Sequence, residues 1–318
     1  MYTLGMPTRL RYCPPRSCAM LPLDRQANRT EMGMGAVKLA GTVVLGYLVV
    51  VLVYALMQRS FIYYPQQQDL DAALADVERM GGSAWLDADG NWLGWHQGAA
   101  GASRRVLVMH GNAGQALDRG YWVRLFQGLH ESGPWEVFVL EYPGYGPRPG
   151  KPSEQALRDA ALQAMDLLQA QRPGPVLLLG ESLGSGVAAH VAAARPETVA
   201  GLLLVTPFAS LVAVAQHHMP FLPVSLLLRD RFDSLTLLTG FDGPMVIVTA
   251  SDDTIVPEPL ALPLQAAHRG QLLHWSQPGA GHNSIDIDPR AAGWRRIDAF
   301  LAAQLPAPGA APREPLAP

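Results

Sequence analysis

A serine, a histidine and a pair of aspartates are spaced along this chain so that they could build a reactive alcohol. Gly180-Glu181-Ser182-Leu183-Gly184 follows the apolar run 176–179 and leads into a small-residue helix pattern. A serine there must sit on a strained, sharp turn, with Gly180 and Gly184 leaving space that a Cβ would fill. A serine hydroxyl is a weak nucleophile until a base removes its proton. Of the nine histidines, His282 suits that role best: it lies in Gly279-Ala280-Gly281-His282-Asn283, and its small neighbours let the loop approach closely. An acid must then hold the imidazole's tautomer and stabilise its charged form. Asp252 and Asp253 compete for that position after the apolar run 245–250; Asp286 and Asp288 are weaker rivals, Asp286 reading better as a helix cap.

Acyl transfer also needs donors for the oxyanion of the tetrahedral intermediate. The N–H of Leu183, at the start of the helix after Ser182, is one. The second should come from His110-Gly111-Asn112-Ala113-Gly114, where Gly111 and Gly114 let the backbone turn beneath a substrate. Asn112 is assigned, with Ala113 the alternative. His110 is read as a brace for this loop rather than a group in the reaction.

These residues all follow short apolar runs, at 105–109, 136–141, 176–180, 201–205, 245–250 and 271–275. Amphipathic stretches at 120–132 and 153–171, the latter with Ser153 as N-cap, separate several of them, and 289–304 closes the series. Residues 84–97 read as two strands around Asp89-Gly90-Asn91. Runs without polar alternation are those of strands covered on both faces, so the fold class is α/β with a mostly parallel sheet flanked by helices. Serine, then aspartate, then histidine is the chain order of α/β-hydrolases. Residues 207–240 are dense in apolar side chains and are expected as a small helical insertion beside the site. Arg229, Asp230, Arg231 and Asp233 within it are expected to form local ion pairs near the surface.

Charged residues make up 16% of the chain against 49% hydrophobic, and the net charge is −3. Without a basic block, nucleic acid is not an expected partner. Both cysteines, Cys13 and Cys18, precede the main domain, which therefore needs no disulfide framework. The stretch 39–57 carries no charge and is long enough to cross a hydrocarbon core, so 36–58 is expected as a signal-anchor helix. Cleavage near Val53-Tyr54-Ala55 would instead release a soluble, secreted form. Arg25, Arg29 and Lys38 before the span favour a cytoplasmic amino end and a periplasmic or otherwise extracytoplasmic catalytic domain. Residues 1–35 read as a flexible segment, with Met32 or Met34 as alternative starts, and 306–318 as a Pro/Ala-rich flexible tail. The aromatic cluster Phe61-Ile62-Tyr63-Tyr64 would lie at the lipid–water interface or pack on the domain. Gly41 and Gly46 form no G-x-x-x-G pair, so nothing in the span sets an oligomeric state.

The chain resembles the membrane-anchored serine α/β-hydrolases of the BEM46-like group, related to ABHD13 and ABHD17-type proteins. The resemblance covers about 60–305 and is carried by HGNAG at 110–114, EYPGYG at 141–146, GKPSE at 150–154 and GESLGSG at 180–186. TPFASL at 206–211, MPFLPVSLLLRDRFDS at 219–234, DTIVP at 253–257 and GAGHN at 279–283 extend it. It implies one hydrolase domain over 59–305, with Asp253, four residues before the proline, as the acid. Pro143 departs from the pattern, which commonly has arginine there; Arg148 and Pro149 are also unusual and are expected near the pocket entrance.

The expected reaction is hydrolysis of an ester or thioester of a lipid-like or small acyl substrate through an acyl-enzyme on Ser182. No cofactor or metal is expected. A peptidase or an acyltransferase would use the same residues, and a catalytically idle membrane-tethered interaction module is the reading of another class.

Overall fold

The computed structural model describes residues 25–98 and 101–307, the side chains of 25–36 excepted. The expectations for 1–24 and for 308–318 therefore lie outside the described residues. The chain divides into two compact units, Met1–Val53 and Tyr54–Pro318.

In the first unit the described residues are helical throughout, as part of the helix Arg25–Ile62. That helix starts earlier than the expected boundary at 36 and ends later than 58. Its segment Val37–Ile62 holds a most apolar window of mean hydropathy 2.4, none of it buried, and is long and apolar enough to cross a membrane. At a rise of about 1.5 Å per residue such a segment measures about 39 Å, against a hydrocarbon core of about 30 Å.

The second unit is built on an eight-stranded sheet. In chain order its strands are β1 (Ser83–Leu86), β2 (Trp92–Gly98), β3 (Arg104–Met109), β4 (Trp135–Leu140), β5 (Val176–Glu181), β6 (Val199–Val205), β7 (Met245–Ala250) and β8 (Leu272–Gln277). Their spatial order is β8-β7-β6-β5-β3-β4-β2-β1. The six strands from β8 to β4 are parallel, whereas β2 and β1 are antiparallel additions at one edge. The helical residues 54–62 belong to this unit too, and a short parallel pair, Tyr64–Pro65 with Ala113–Gly114, follows them.

Apolar runs without alternation follow from burial on both faces. Leu107, Met109 and Leu178 enter one core, while Val106, Val108, Leu177 and Leu179 enter the other, on the opposite face of the sheet. Helices Glu154–Gln171 and Leu183–Ala194 cover the first face, and Gly120–Gln127 and Ala292–Gln304 cover the second. Ser153 caps its helix through Ala156 N–H, as its sequence position suggests. The expected helix 120–132 stops at Gln127, because residues 130–132 turn away and donate to Asp298. No helix was expected at Leu70–Arg79, which Asp69 caps.

The chain passes from β3 outward to β4, then returns to the other side of β3 for β5. In open α/β sheets such a reversal leaves a crevice at the carboxyl ends of the strands. The loops that follow β3 and β5 are residues 110–114 and the turn at Ser182.

Candidate active site

Ser182 occupies the turn between β5 and the helix Leu183–Ala194, with φ 51° and ψ −115°. Side chains with a Cβ rarely adopt such backbone, and the close packing of the turn holds it there. A Cβ on Gly180 would come within 2.6 Å of Ser185 Cα, and one on Gly184 within 2.0 Å of the Met109 carbonyl oxygen. The helix thus leans directly on the end of β3. The Ser182 N–H donates to the Val205 carbonyl, tying the turn to β6.

The loop after β8 brings His282 to this turn. Its Nε2 lies 2.8 Å from Ser182 Oγ, and its Nδ1 lies 2.7 Å from Asp253 Oδ2. The second oxygen of Asp253 accepts from the Ile255 and Val256 N–H groups at 2.8 and 2.7 Å. The Asp253 carboxylate is 1% exposed, so every part of it is committed. Asp252 instead accepts from Ser251 Oγ and is exposed. Asp286 accepts from the Asp288 N–H in the loop, and the N-cap of the closing helix is Ala291, so the expected capping role of Asp286 is not the observed one.

His110 is fully buried, with Nδ1 2.8 Å from the Gly111 carbonyl and Nε2 3.3 Å from Glu141 Oε1. Glu141, also fully buried, accepts from the Ala116 N–H, and a Cβ on Gly146 would strike it at 2.2 Å. Gly111 faces the turn: a Cβ there would lie 3.7 Å from Ser182 Cβ. Gly114, at φ 87°, pairs with Pro65. The Asn112 carbonyl accepts from the Tyr64 N–H and Tyr145 hydroxyl, and its side-chain amide donates to Ile62 O at 2.7 Å. Its backbone N–H takes no part in these three bonds. Leu183 is the first residue of its helix, where an N–H has no intrahelical acceptor. Asn112, Ser182 and Leu183 line one pocket of about 300 Å³.

The rest of that pocket is mostly apolar, Gln58 and His218 excepted, and two of its walls come from sequence-distant parts of the chain. One wall is the expected insertion, including Leu211, Met219, Leu222 and Leu227. The other is the end of the long helix, through Tyr54, Ala55, Gln58, Phe61 and Ile62. Sequence reading did not assign this second wall. Its signal was Gln58, a polar residue closing an otherwise apolar run. Gln58 is buried, donates to the Ala55 and Leu227 carbonyls and accepts from the Arg229 N–H at 2.7 Å.

The local ion pairs expected among 229–233 do not form as such. Asp230 is buried and accepts two hydrogen bonds from Arg59 and one from the Tyr63 hydroxyl. Burial, and then the Asp230 carboxylate, pushes the Tyr63 hydroxyl well above its ordinary range, which keeps it a donor. Asp233 caps Ser234–Leu238 instead. Arg148, expected near the pocket entrance, donates to the Glu141 carbonyl and to Gln163, away from the lining residues. Glu181, beside Ser182, accepts from Tyr121 and Trp122 at 2.8 and 2.9 Å and does not face the imidazole. Among the described residues no group of three or more His, Cys, Asp or Glu side chains is placed to hold a metal ion.

The sheet order, the strained turn and the three converging side chains define an α/β-hydrolase fold. A family model for the alpha/beta hydrolase fold matches residues 104–235. An uncharacterized protein of Mycobacterium tuberculosis is 35% identical over 237 residues, which are 72% of this chain and 82% of that one. The chain belongs to the α/β-hydrolase family. Lysophosphatidylserine lipase ABHD12 of Xenopus tropicalis is 30% identical over 197 residues, 54% of this chain and 49% of that protein, so the chain spans about half its length. Among solved structures, an esterase of Pyrococcus furiosus superposes with a TM-score of 0.57 at 17% identity, over 77% of this chain and 98% of that one; the likeness is one of fold.

Proposed function

We propose that the protein is a membrane-anchored serine hydrolase that cleaves a carboxylic ester or thioester of a lipid-like substrate. The observation that carries this reading is the line of contacts Ser182 Oγ, His282 Nε2, His282 Nδ1, Asp253 Oδ2, with Ser182 lining a mostly apolar pocket. Ser182 Oγ attacks the acyl carbon as His282 Nε2 takes its proton, and Asp253 holds the imidazole through Nδ1. The carbonyl oxygen becomes an oxyanion, held by the Leu183 and Asn112 N–H groups. As the intermediate collapses, the bond to the leaving group breaks and His282 returns the proton to it. Water then attacks the acyl-serine, with His282 again as base, and the acid leaves.

The apolar lining favours an acyl chain, and a cavity of about 300 Å³, at the small end of ligand pockets, favours one chain over two. The name lysophosphatidylserine lipase, borne by relatives, is of the same substrate kind. The motifs between 110 and 283 support placement in the BEM46-like group, with one hydrolase domain over 59–305. The basic residues before the span support a cytoplasmic amino end and a catalytic domain on the other side of the membrane.

Full-length protein in detergent should react covalently with a fluorophosphonate probe and turn over p-nitrophenyl acyl esters. Labelling that persists in Ser182→Ala removes the nucleophile assignment. Product analysis with ester, thioester and peptide substrates separates hydrolysis from acyl transfer and from proteolysis.

A further inference from the structure

The residues that close the pocket are also the residues best suited to lie in lipid. Residues 54–62 are the last turns of the apolar span Val37–Ile62 and, at the same time, one wall of the pocket. A helical segment of about 39 Å exceeds a hydrocarbon core of about 30 Å by about six residues, so Tyr54 and Ala55 fall at lipid depth and Phe61 near the headgroups.

The opposite wall continues this apolar surface. Phe61 and Ile255 both line the pocket and are 46% and 48% exposed, which makes them its rim. Phe221 is 61% exposed and Leu226 is 84% exposed; each immediately precedes a lining residue, Leu222 and Leu227. A leucine so exposed on a short helix, Val224–Leu227, gains nothing in water. Hydrogen bonds join the two walls along a seam, between Gln58 and both Leu227 and Arg229, and between Arg59 and Asp230. Apart from His218, the remaining lining between helix end and insertion is apolar.

We propose that the rim formed by Phe61, Phe221, Leu226 and Ile255 rests in the bilayer and that substrate reaches Ser182 sideways from lipid. The acyl chain slides between residues 54–62 and the insertion, and the scissile carbonyl meets Ser182 without the chain crossing water. The helix is then part of the binding site as well as a tether. This inference rests on the acyl-hydrolase reading above.

The test uses full-length protein in phosphatidylcholine vesicles and two substrates. One is a palmitoyl ester of a fluorogenic coumarin carried in the vesicles; the other is p-nitrophenyl acetate supplied in water. Each rate is divided by the amount of enzyme labelled with fluorophosphonate, and the lipid-to-acetate ratio is read. Leu226→Glu should lower that ratio about tenfold, since a carboxylate at the rim resists burial in lipid, whereas Leu226→Met should keep it. Ala55→Trp, which narrows the slot, should lower it as well. A ratio unchanged in Leu226→Glu overturns the proposal, as does a change in oligomeric state by light scattering in detergent, which would make the rim a face between copies. Wild-type protein that neither labels nor turns over either substrate would instead end the hydrolase reading itself.

Discussion

Arg59 and Asp230 stand 171 residues apart and meet through two parallel hydrogen bonds, Nε to Oδ2 at 2.9 Å and Nη2 to Oδ1 at 3.1 Å. The aspartate side chain is 4% exposed and the arginine 50%, so the carboxylate depends on this partner and on Tyr63 for its solvation. Asp230→Ala should destabilise the domain by about 2 kcal/mol, below the 3–5 typical of fully buried pairs because half of Arg59 already faces solvent. Thermal unfolding in detergent, followed through loss of active-site labelling, measures it. Long-chain ester turnover should fall with it, since the seam between the two pocket walls is broken.

The adjacent carboxylates Asp252 and Asp253 give a sharp comparison. Asp253→Asn keeps the shape but offers His282 the wrong partner, and kcat should drop by about 10⁴. Asp252→Asn removes only a contact to Ser251, and kcat should stay within about twofold. Steady-state kinetics on a short p-nitrophenyl ester decides between the two.

Gly184→Ala should be far more damaging than an ordinary glycine-to-alanine change in a helix. Its Cβ would fall 2.0 Å from the Met109 carbonyl and 2.7 Å from that of His110, both backbone atoms. The helix must move off β3 and carry Ser182 with it. Fluorophosphonate labelling should be lost, and folded yield should fall, with a cost of about 3 kcal/mol or more.

Acid sensitivity should arise away from the site, at His190. Burial, reinforced by Arg158, pushes this imidazole down to about 4. The folded protein therefore takes up this proton less readily than the unfolded chain. The stability concerned is fully present above about pH 6.5 and is lost as pH falls toward 4. His190 is only partly buried, so screening reduces the effect to about 1–2 kcal/mol. Burial shifts His268 in the same direction. His190→Gln should shrink the fall in Tm between about pH 7.5 and pH 4.5.

Much of the site was legible because its parts are local in sequence. The glycines around Ser182, the small residues around His282 and the loop 110–114 each follow an apolar strand, and strand order does the rest. Asp253 could not be separated from Asp252 by spacing, since neighbouring residues on a loop differ only in where they point; the resemblance implied Asp253, and this is the carboxylate that meets His282. The second pocket wall was illegible for a different reason. An apolar helix end reads as membrane segment whether or not it also packs on a domain, and only Gln58 hinted otherwise. Asp230 looked like one member of a charged surface run because its partner, Arg59, lies 171 positions away in the sequence.

Phe232 is fully buried at φ 39°, an uncommon backbone for an aromatic residue, and its ring carbons lie where a Cβ on Gly186 would come within 2.8 Å. Gly186 is in the same helix as Ser182's neighbour Leu183, one turn further on, so the ring plugs the insertion into the scaffold that carries Ser182. Enlarging residue 186 should therefore act as a spacer that presses Phe232, and the insertion with it, away from this helix.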